Sequence, residues 1–431
     1  MQFDDPGERL LALFRLWNAM NYYFPHHDVM DVPWNDLLPR FVPKMLEGTD
    51  RLSYEATLAA LAHYLHCANV FIDGTPFFSR KFGDVAAPVQ LIPAEGQLVV
   101  YRVGAEGIPL QRGDVILSLN GRDVGEIVSE MKPFISYPND EKALTVLGGI
   151  WPFPYWFIPG FPHVLTSNER FMDISVLRGR FGLTVSVMGS RMRTATMPRW
   201  IGTHNARIPE TSFVWTRPQS ATPHGILDGN IGFLNPSLPV DVRYAMESFA
   251  DTDGIVIDFR NRPFGPFILY NHPHTIFTSA MLDYLIEEPL PYLLISRPSQ
   301  VNPGFRYDYL HVNLFTCVNP YAFLFDRSVV LIMDEQTSVY SESAIMSLRA
   351  APNVTVVGTN SMGTFGGSAV LPLPGGISIR FKSVGAYTPQ GGQIHRVGLT
   401  PDIRVDRTIQ GITDGRDEIM EAAIQFVLGE R

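Results

Sequence analysis

Cysteine is nearly absent from this chain. Cys67 and Cys317, two in 431 residues, are too few and too far apart for a disulfide framework or a cysteine-based zinc site, and they fit a reducing compartment. Positive charge is also short: 34 Lys and Arg against 43 Asp and Glu leave a formal charge of −9. No stretch gathers the basic footprint that a phosphate backbone requires, so nucleic acid is not an expected partner. Long apolar runs are missing, because Pro, Asn or a charged residue interrupts each candidate before the roughly 18–20 residues that span a bilayer. No membrane partner is expected on that account. The opening MQFDDPGERLLALF has no basic n-region and runs straight into an amphipathic pattern, which reads as cytoplasmic unless an export signal precedes it. Internal repeats and low-complexity tracts are absent as well.

What is present is a chain long enough for two or three domains. Leu10, Leu13, Phe14 and Trp17 fall at i, i+3, i+4, i+7, and Leu58, Leu61, Ala62 and Leu65 repeat that spacing after Ser53, a candidate N-cap. The spacing predicts a helical N-terminal unit over 1–78. Alternation takes over in QLVVYRV and GDVILSLNG, with turn chemistry at Gly113-Asp114 and Asn120-Gly121, predicting a small β-rich unit over 79–140. A connecting segment over 141–225 follows. Its run WPFPYWFIPGFP at 151–162 is too rich in Pro and Gly for a helix and reads as an aromatic loop that plugs a core gap or walls a cleft. From 226 to 431 short β-branched runs such as Ile255-Val256-Ile257 and Val329-Val330-Leu331-Ile332 alternate with helices, so strands covered on both faces are expected. The fold class is therefore α/β and multi-domain, with Ile419, Ala422, Ala423 and Phe426 packing a last helix on the core.

Three segments carry a resemblance. VVLIMDEQTSVYSESAIMSLRAAPNVTVVGTNSMGTFGG with GAYTPQGGQIHRVGLTPDI, the turn DTDGIVIDFRNRPFG, and the leader RLLALFRLWNAMNYYFPHHD together resemble the C-terminal processing and tricorn-like serine peptidases. The resemblance implies a crotonase/ClpP-like α/β core beside the helical leader, and GIPLQRGDVILSLNGRDV resembles part of a PDZ-like module that captures a peptide by strand addition. An ordinary β-hairpin unit is the alternative for that stretch.

Carried over residue by residue, the resemblance places Val339 where the nucleophilic serine belongs, in a Thr-x-Ser-x-x-Glu pattern that begins at Thr337 and ends at Glu342. An alkyl side chain cannot attack a carbonyl. The lysine of one family scheme falls on Thr364, 25 positions after Val339. In the other scheme the histidine falls on Asn69 and the glutamate on Gln393, and an amide has no useful basicity at neutral pH. Ser338 or Ser341, beside the lost position, could serve as a displaced nucleophile, although both suit the first turn of a helix. Glu342, His66 and His395 are the remaining acid–base candidates. The resemblance also implies a backbone oxyanion hole at Phe264-Gly265, with Tyr340 lining the cleft; such a hole needs no side chain, but Phe264 stands where the family has its first glycine, a change that tilts or shields the donor.

No cofactor is implied. His26-His27-Asp28 offers metal-capable groups, but no third ligand has suitable spacing, so no metal site is expected. The resulting expectation is a non-proteolytic homologue whose cleft holds an extended peptide or an apolar small molecule, either for non-covalent cyclisation or isomerisation or for binding alone. A working hydrolase using Ser338 is the alternative, and a homo-oligomer is left open.

Overall fold

The computed structural model describes residues 3–75, 77–104, 107–148, 163–191, 223–238, 240–260, 273–299, 301–302, 307–314 and 322–429. The aromatic run at 151–162 and the Phe264-Gly265 turn lie outside the described residues. No helix among those described is long and apolar enough to cross a membrane.

Helices Pro6–Tyr23, Trp34–Glu47 and Arg51–His63 form the N-terminal unit. The first buries Ala12, Leu13, Leu16 and Met20, while Phe14 stays 40% exposed. Of the stripe expected through Leu10, Leu13, Phe14 and Trp17, Leu13 is in the core, Leu10 and Trp17 pack at its edge and Phe14 turns outward, so the buried face is rotated toward Ala12, Leu16 and Met20. Arg9 sits within the buried face because Met45, Leu46 and Phe3 carbonyls accept from its guanidinium, which lets a cation occupy a core position. The expected cap at Ser53 is displaced too: Asp50 is the N-cap and Ser53 the N3 residue. Ser53 N–H donates to Asp50 Oδ1 at 2.7 Å and Asp50 N–H to Ser53 Oγ at 3.3 Å. Serine serves either position, and the preceding carboxylate wins the cap because it is the stronger acceptor.

This unit is not independent. Strand Phe71–Asp73 pairs with Ile377–Lys382, and Leu373, Ile377, Ile379 and Phe381 join the core of the three helices. The leader is thus clamped to the C-terminal half by a shared sheet edge and a shared core.

A second sheet runs in the order 89–94, 97–103, 115–119, 171–178, 181–188, all antiparallel. Asn120 and Gly121 have φ of 50° and 77°, the pair of positive values that a two-residue hairpin turn demands. Because strand Val115–Leu119 bonds to Phe171–Arg178, residue 140 separates two parts of one sheet.

The C-terminal half holds the largest parallel array, in the order 224–227, 231–234, 254–258, 328–333, 354–358, 403–404, with only the first pair antiparallel. Alternate residues feed opposite layers. Ile255, Ile257, Val329 and Leu331 face Met246, Phe249, Ile345 and Leu348, whereas Val256, Val330 and Ile332 face Ile419 and Ala423 of the last helix. Phe426, expected on that helix's buried stripe, is 37% exposed at its edge. The chain is a mixed α/β fold in which strand ends of this sheet deliver the candidate site.

Candidate functional site

Strand Ser328–Met333 ends in a sharp turn that enters helix Tyr340–Leu348, and Val339 stands at the join with φ 45° and ψ −103°. A β-branched residue with positive φ is a backbone outlier worth about 1–3 kcal/mol of strain. Strained strand-to-helix turns of this kind expose a nucleophile in hydrolases. Here that position, half-buried, presents an isopropyl group.

Glu342, one turn into the helix and fully buried, holds the turn in place. Its carboxylate accepts from Val339 N–H at 2.9 Å, Ser361 Oγ at 2.5 Å, Gly363 N–H at 2.6 Å, and from Thr364 N–H at 2.9 Å and Oγ1 at 3.1 Å. Val339 N–H also reaches Thr364 Oγ1 at 3.1 Å. Val339, Glu342 and Thr364 are thus brought together as one hydrogen-bonded unit, and the carboxylate oxygens are occupied by it. Thr337 closes the base of the turn through Asp334, and Arg407 fastens Asp334 and Glu335 to the strand end. Burial raises the Asp334 carboxyl above the usual range, against the pull of Arg407.

Ser338 is buried and its Oγ has no hydrogen-bond partner among the described residues. Ser341 is buried, with its N–H on Ser338 carbonyl in the first helical turn. Tyr340 is half-buried at the helix start.

The imidazoles gather in two groups. His66, at φ 47°, places Nε2 3.1 Å from Asp31 Oδ2, and Asp31 is gripped by Arg396 at 2.7 and 2.9 Å. Burial, then the Arg396 charge, lowers His66 to about 4. Its Nδ1 is buried without a partner among the described residues. His395 stacks on His26, ring centroids 4.2 Å apart and planes 7° apart, and Phe24 meets both rings edge-on. Burial followed by the charge of Lys382 drives His26 down to about 2 and His395 well below its ordinary value. His27 turns away to Met20 carbonyl, so adjacent histidines serve different partners. Among the described residues no three ligands gather in a way that would hold a metal ion.

Asn69 is buried in the turn between helix Arg51–His63 and strand Phe71–Asp73, and Gln393 Oε1 accepts from His395 N–H at 3.1 Å. Sequence reasoning missed Asp31, Arg396 and Lys382. The first two lie 365 positions apart; Arg396 falls in the GAYTPQGGQIHRVGLTPDI segment but Asp31 lies in none of the quoted segments, so no local signal paired them.

Removing the strain at the turn gives a first expected result. An unstrained half-buried valine changed to glycine should lose about 2 kcal/mol through chain entropy and lost burial. Val339→Gly is expected to leave urea stability unchanged within about 1 kcal/mol, because relief at positive φ offsets that loss. A full 2 kcal/mol drop would show that the turn stores no strain.

With this geometry in view, the relatives are informative. Residues 295–405 match the pattern of Peptidase family S41. A carboxy-terminal-processing protease of Bartonella bacilliformis is 26% identical over 92 residues. That stretch is 21% of this chain and only 21% of the relative's length. Mature CPAF superposes with a TM-score of 0.69 at 12% identity, covering 98% of this chain and 96% of that one. Its complex with lactacystin gives 0.68 at 12% identity, covering 99% of each. At such identity the likeness establishes the fold. The local pattern match and the shared fold together relate this chain to peptidase family S41.

Proposed function

We propose that this chain is a non-proteolytic relative of the S41 peptidases whose cleft holds an extended peptide or an apolar small molecule. The observation that carries the reading is Val339 at the strained turn, where hydroxyl chemistry would need a serine. Asn69 and Gln393, amides at the positions that the resemblance assigns to base and orienter, support it, since neither can take a proton at neutral pH. Losing one member of such a cooperating set removes most of the covalent contribution, and three altered positions compound the loss.

An apolar component of the ligand is supported by a cavity of about 50 Å³ beside the Asn69 turn. Ala62, Val70, Phe71, Phe77, Phe78 and Phe134 are among its walls. Glu55, Thr75 and Ser136 complete a lining that is otherwise apolar, so an alkyl group fits against most of these walls. His66 backed by Asp31 is an imidazole–carboxylate pair of the kind that moves protons, which favours non-covalent acid–base chemistry such as cyclisation or isomerisation over binding alone.

One observation favours a second reading, hydrolysis by Ser338: its buried, unpartnered hydroxyl. A fluorophosphonate probe separates the two. No covalent adduct is expected by intact mass spectrometry after prolonged incubation. Labelling that disappears in Ser338→Ala would overturn the non-proteolytic reading. Native mass spectrometry of freshly purified protein would then identify the class of any retained molecule.

A further inference from the structure

Lys382 ends strand Ile377–Lys382, where alternation would set it on the polar face with Ser378 and Arg380, yet it is 1% exposed. Its stem lies over Gly366, where a Cβ would come within 3.3 Å of the lysine Cδ. Its ammonium meets Gly363 carbonyl at 3.4 Å, the long end of hydrogen-bond range. No carboxylate stands within ion-pair distance of it among the described residues. A buried cation without a counter-charge is costly and calls for a partner.

Two further polar groups in the same place lack partners. His26 Nε2 and His395 Nδ1 are buried and accept or donate no hydrogen bond among the described residues. Ser296 Oγ and Tyr387 Oη are 3.5 Å apart, as are Tyr387 Oη and His26 Nδ1. A relay running from Ser296 through Tyr387 to His26 Nδ1 leaves the proton of a neutral imidazole on Nε2, as a donor. Gly363, whose carbonyl meets the ammonium, packs against the residue before His395, since a Cβ there would lie 2.8 Å from the Ile394 carbonyl oxygen, and His395 stacks on His26; ammonium and imidazoles therefore share one neighbourhood, in keeping with the influence of Lys382 on both rings. Gly363, which meets the ammonium, also donates to Glu342 beneath the Val339 turn, so this neighbourhood adjoins the cleft.

We infer that Lys382, His26 and His395 form a buried oxyanion site that takes the carboxylate of a ligand held in the cleft. The inference rests on the reading of that cleft as ligand-binding. A carboxylate offers about four acceptor positions to an ammonium and ring N–H groups, and its charge neutralises Lys382. With both rings held neutral, the site carries one positive charge. That matches a monoanionic carboxylate better than a phosphate dianion.

The test is a titration of the full chain, with imidazole ¹⁵N resonances as the readout and ionic strength constant. Sodium butyrate is expected to shift the His26 and His395 signals saturably below about 100 mM, a weak but specific range. Butyramide, of the same shape without the charge, is expected to shift neither. Lys382→Met should weaken the butyrate response at least about tenfold, the loss of one buried charge-assisted bond. Should that variant not melt cooperatively, His26→Asn takes its place, with His395 as the reporter. The inference is overturned by no saturable response, by an equal response to butyramide, by preference for inorganic phosphate, or by a response that the variant leaves intact. Fluorophosphonate labelling of Ser338 would sink the non-proteolytic reading without altering these signals, so the two failures are distinguishable.

Discussion

Replacing Glu342 by alanine is expected to cost about 4 kcal/mol of folding stability, among the largest effects of any single change in this chain. Five hydrogen bonds converge on its two oxygens, from Val339, Ser361, Gly363 and both donors of Thr364, and the side chain is fully buried. Alanine leaves backbone N–H groups and hydroxyls facing a void, and each orphaned donor carries about 1–3 kcal/mol of desolvation that relaxation recovers only in part. Glu342→Gln should be milder, about 2–3 kcal/mol, because one acceptor oxygen remains while the new NH₂ confronts a donor. Urea midpoints at unchanged slope would check both numbers. The opposite result is equally informative. If Glu342→Gln left stability intact or raised it, the carboxylate would be one of those groups kept at a stability cost for chemistry, and its place among the acid–base candidates would strengthen.

The parallel core was the most legible part of the fold. Runs such as Ile255–Ile257 and Val329–Ile332 are apolar at every position, and their shortness and β-branching suit a strand covered on both faces. The first helix was half legible: its period was plain but its phase was not. Leucine, phenylalanine and alanine supply two overlapping stripes, and the choice between them was made by contacts with Met45 and Leu46 one helix away. The candidate site divides along the same line. Val339, Glu342 and Thr364 follow from the family resemblance within one segment, and their bonded arrangement is local. Strain at Val339 could not be read, because nothing in the residue's type predicts a positive φ. Lys382 was illegible for a different reason. Its strand alternates in a way that assigns it to the solvent face, and it is buried because the Gly366 backbone admits its stem. The Arg396–Asp31–His66 chain needed two loops to meet across the whole length of the sequence.

Acidification is expected to unfold this protein well before its carboxylates are titrated, through histidines that are folded in the neutral state. His26 is lowered to about 2, His66 and His163 to about 4, and His395 well below its ordinary value, in each case first by burial. In the unfolded chain these groups take up protons near pH 6.5, so below that pH the unfolded state binds more protons than the folded one. Their contribution is therefore fully present above pH 6.5. It falls as the pH drops, at about 1.4 kcal/mol per pH unit for each group, until the folded value is reached near 4 for His66 and near 2 for His26. Asp334 works in the opposite direction: burial raises its carboxyl, so the folded chain gains its proton first and the term offsets about one histidine over part of the range. Burial raises the Asp73 carboxyl as well, and the net slope remains destabilising because several imidazoles oppose two carboxyls. His26→Asn removes one titrating group and should flatten the stability curve between pH 6 and pH 5 by about 1.4 kcal/mol per pH unit, measured from urea unfolding at closely spaced pH values. Parallel curves for the variant and the parent would mean that His26 is protonated in the folded state. The stacked pair would then be an imidazole–imidazolium contact beside Lys382, and the cluster would hold a second positive charge for an anion to meet.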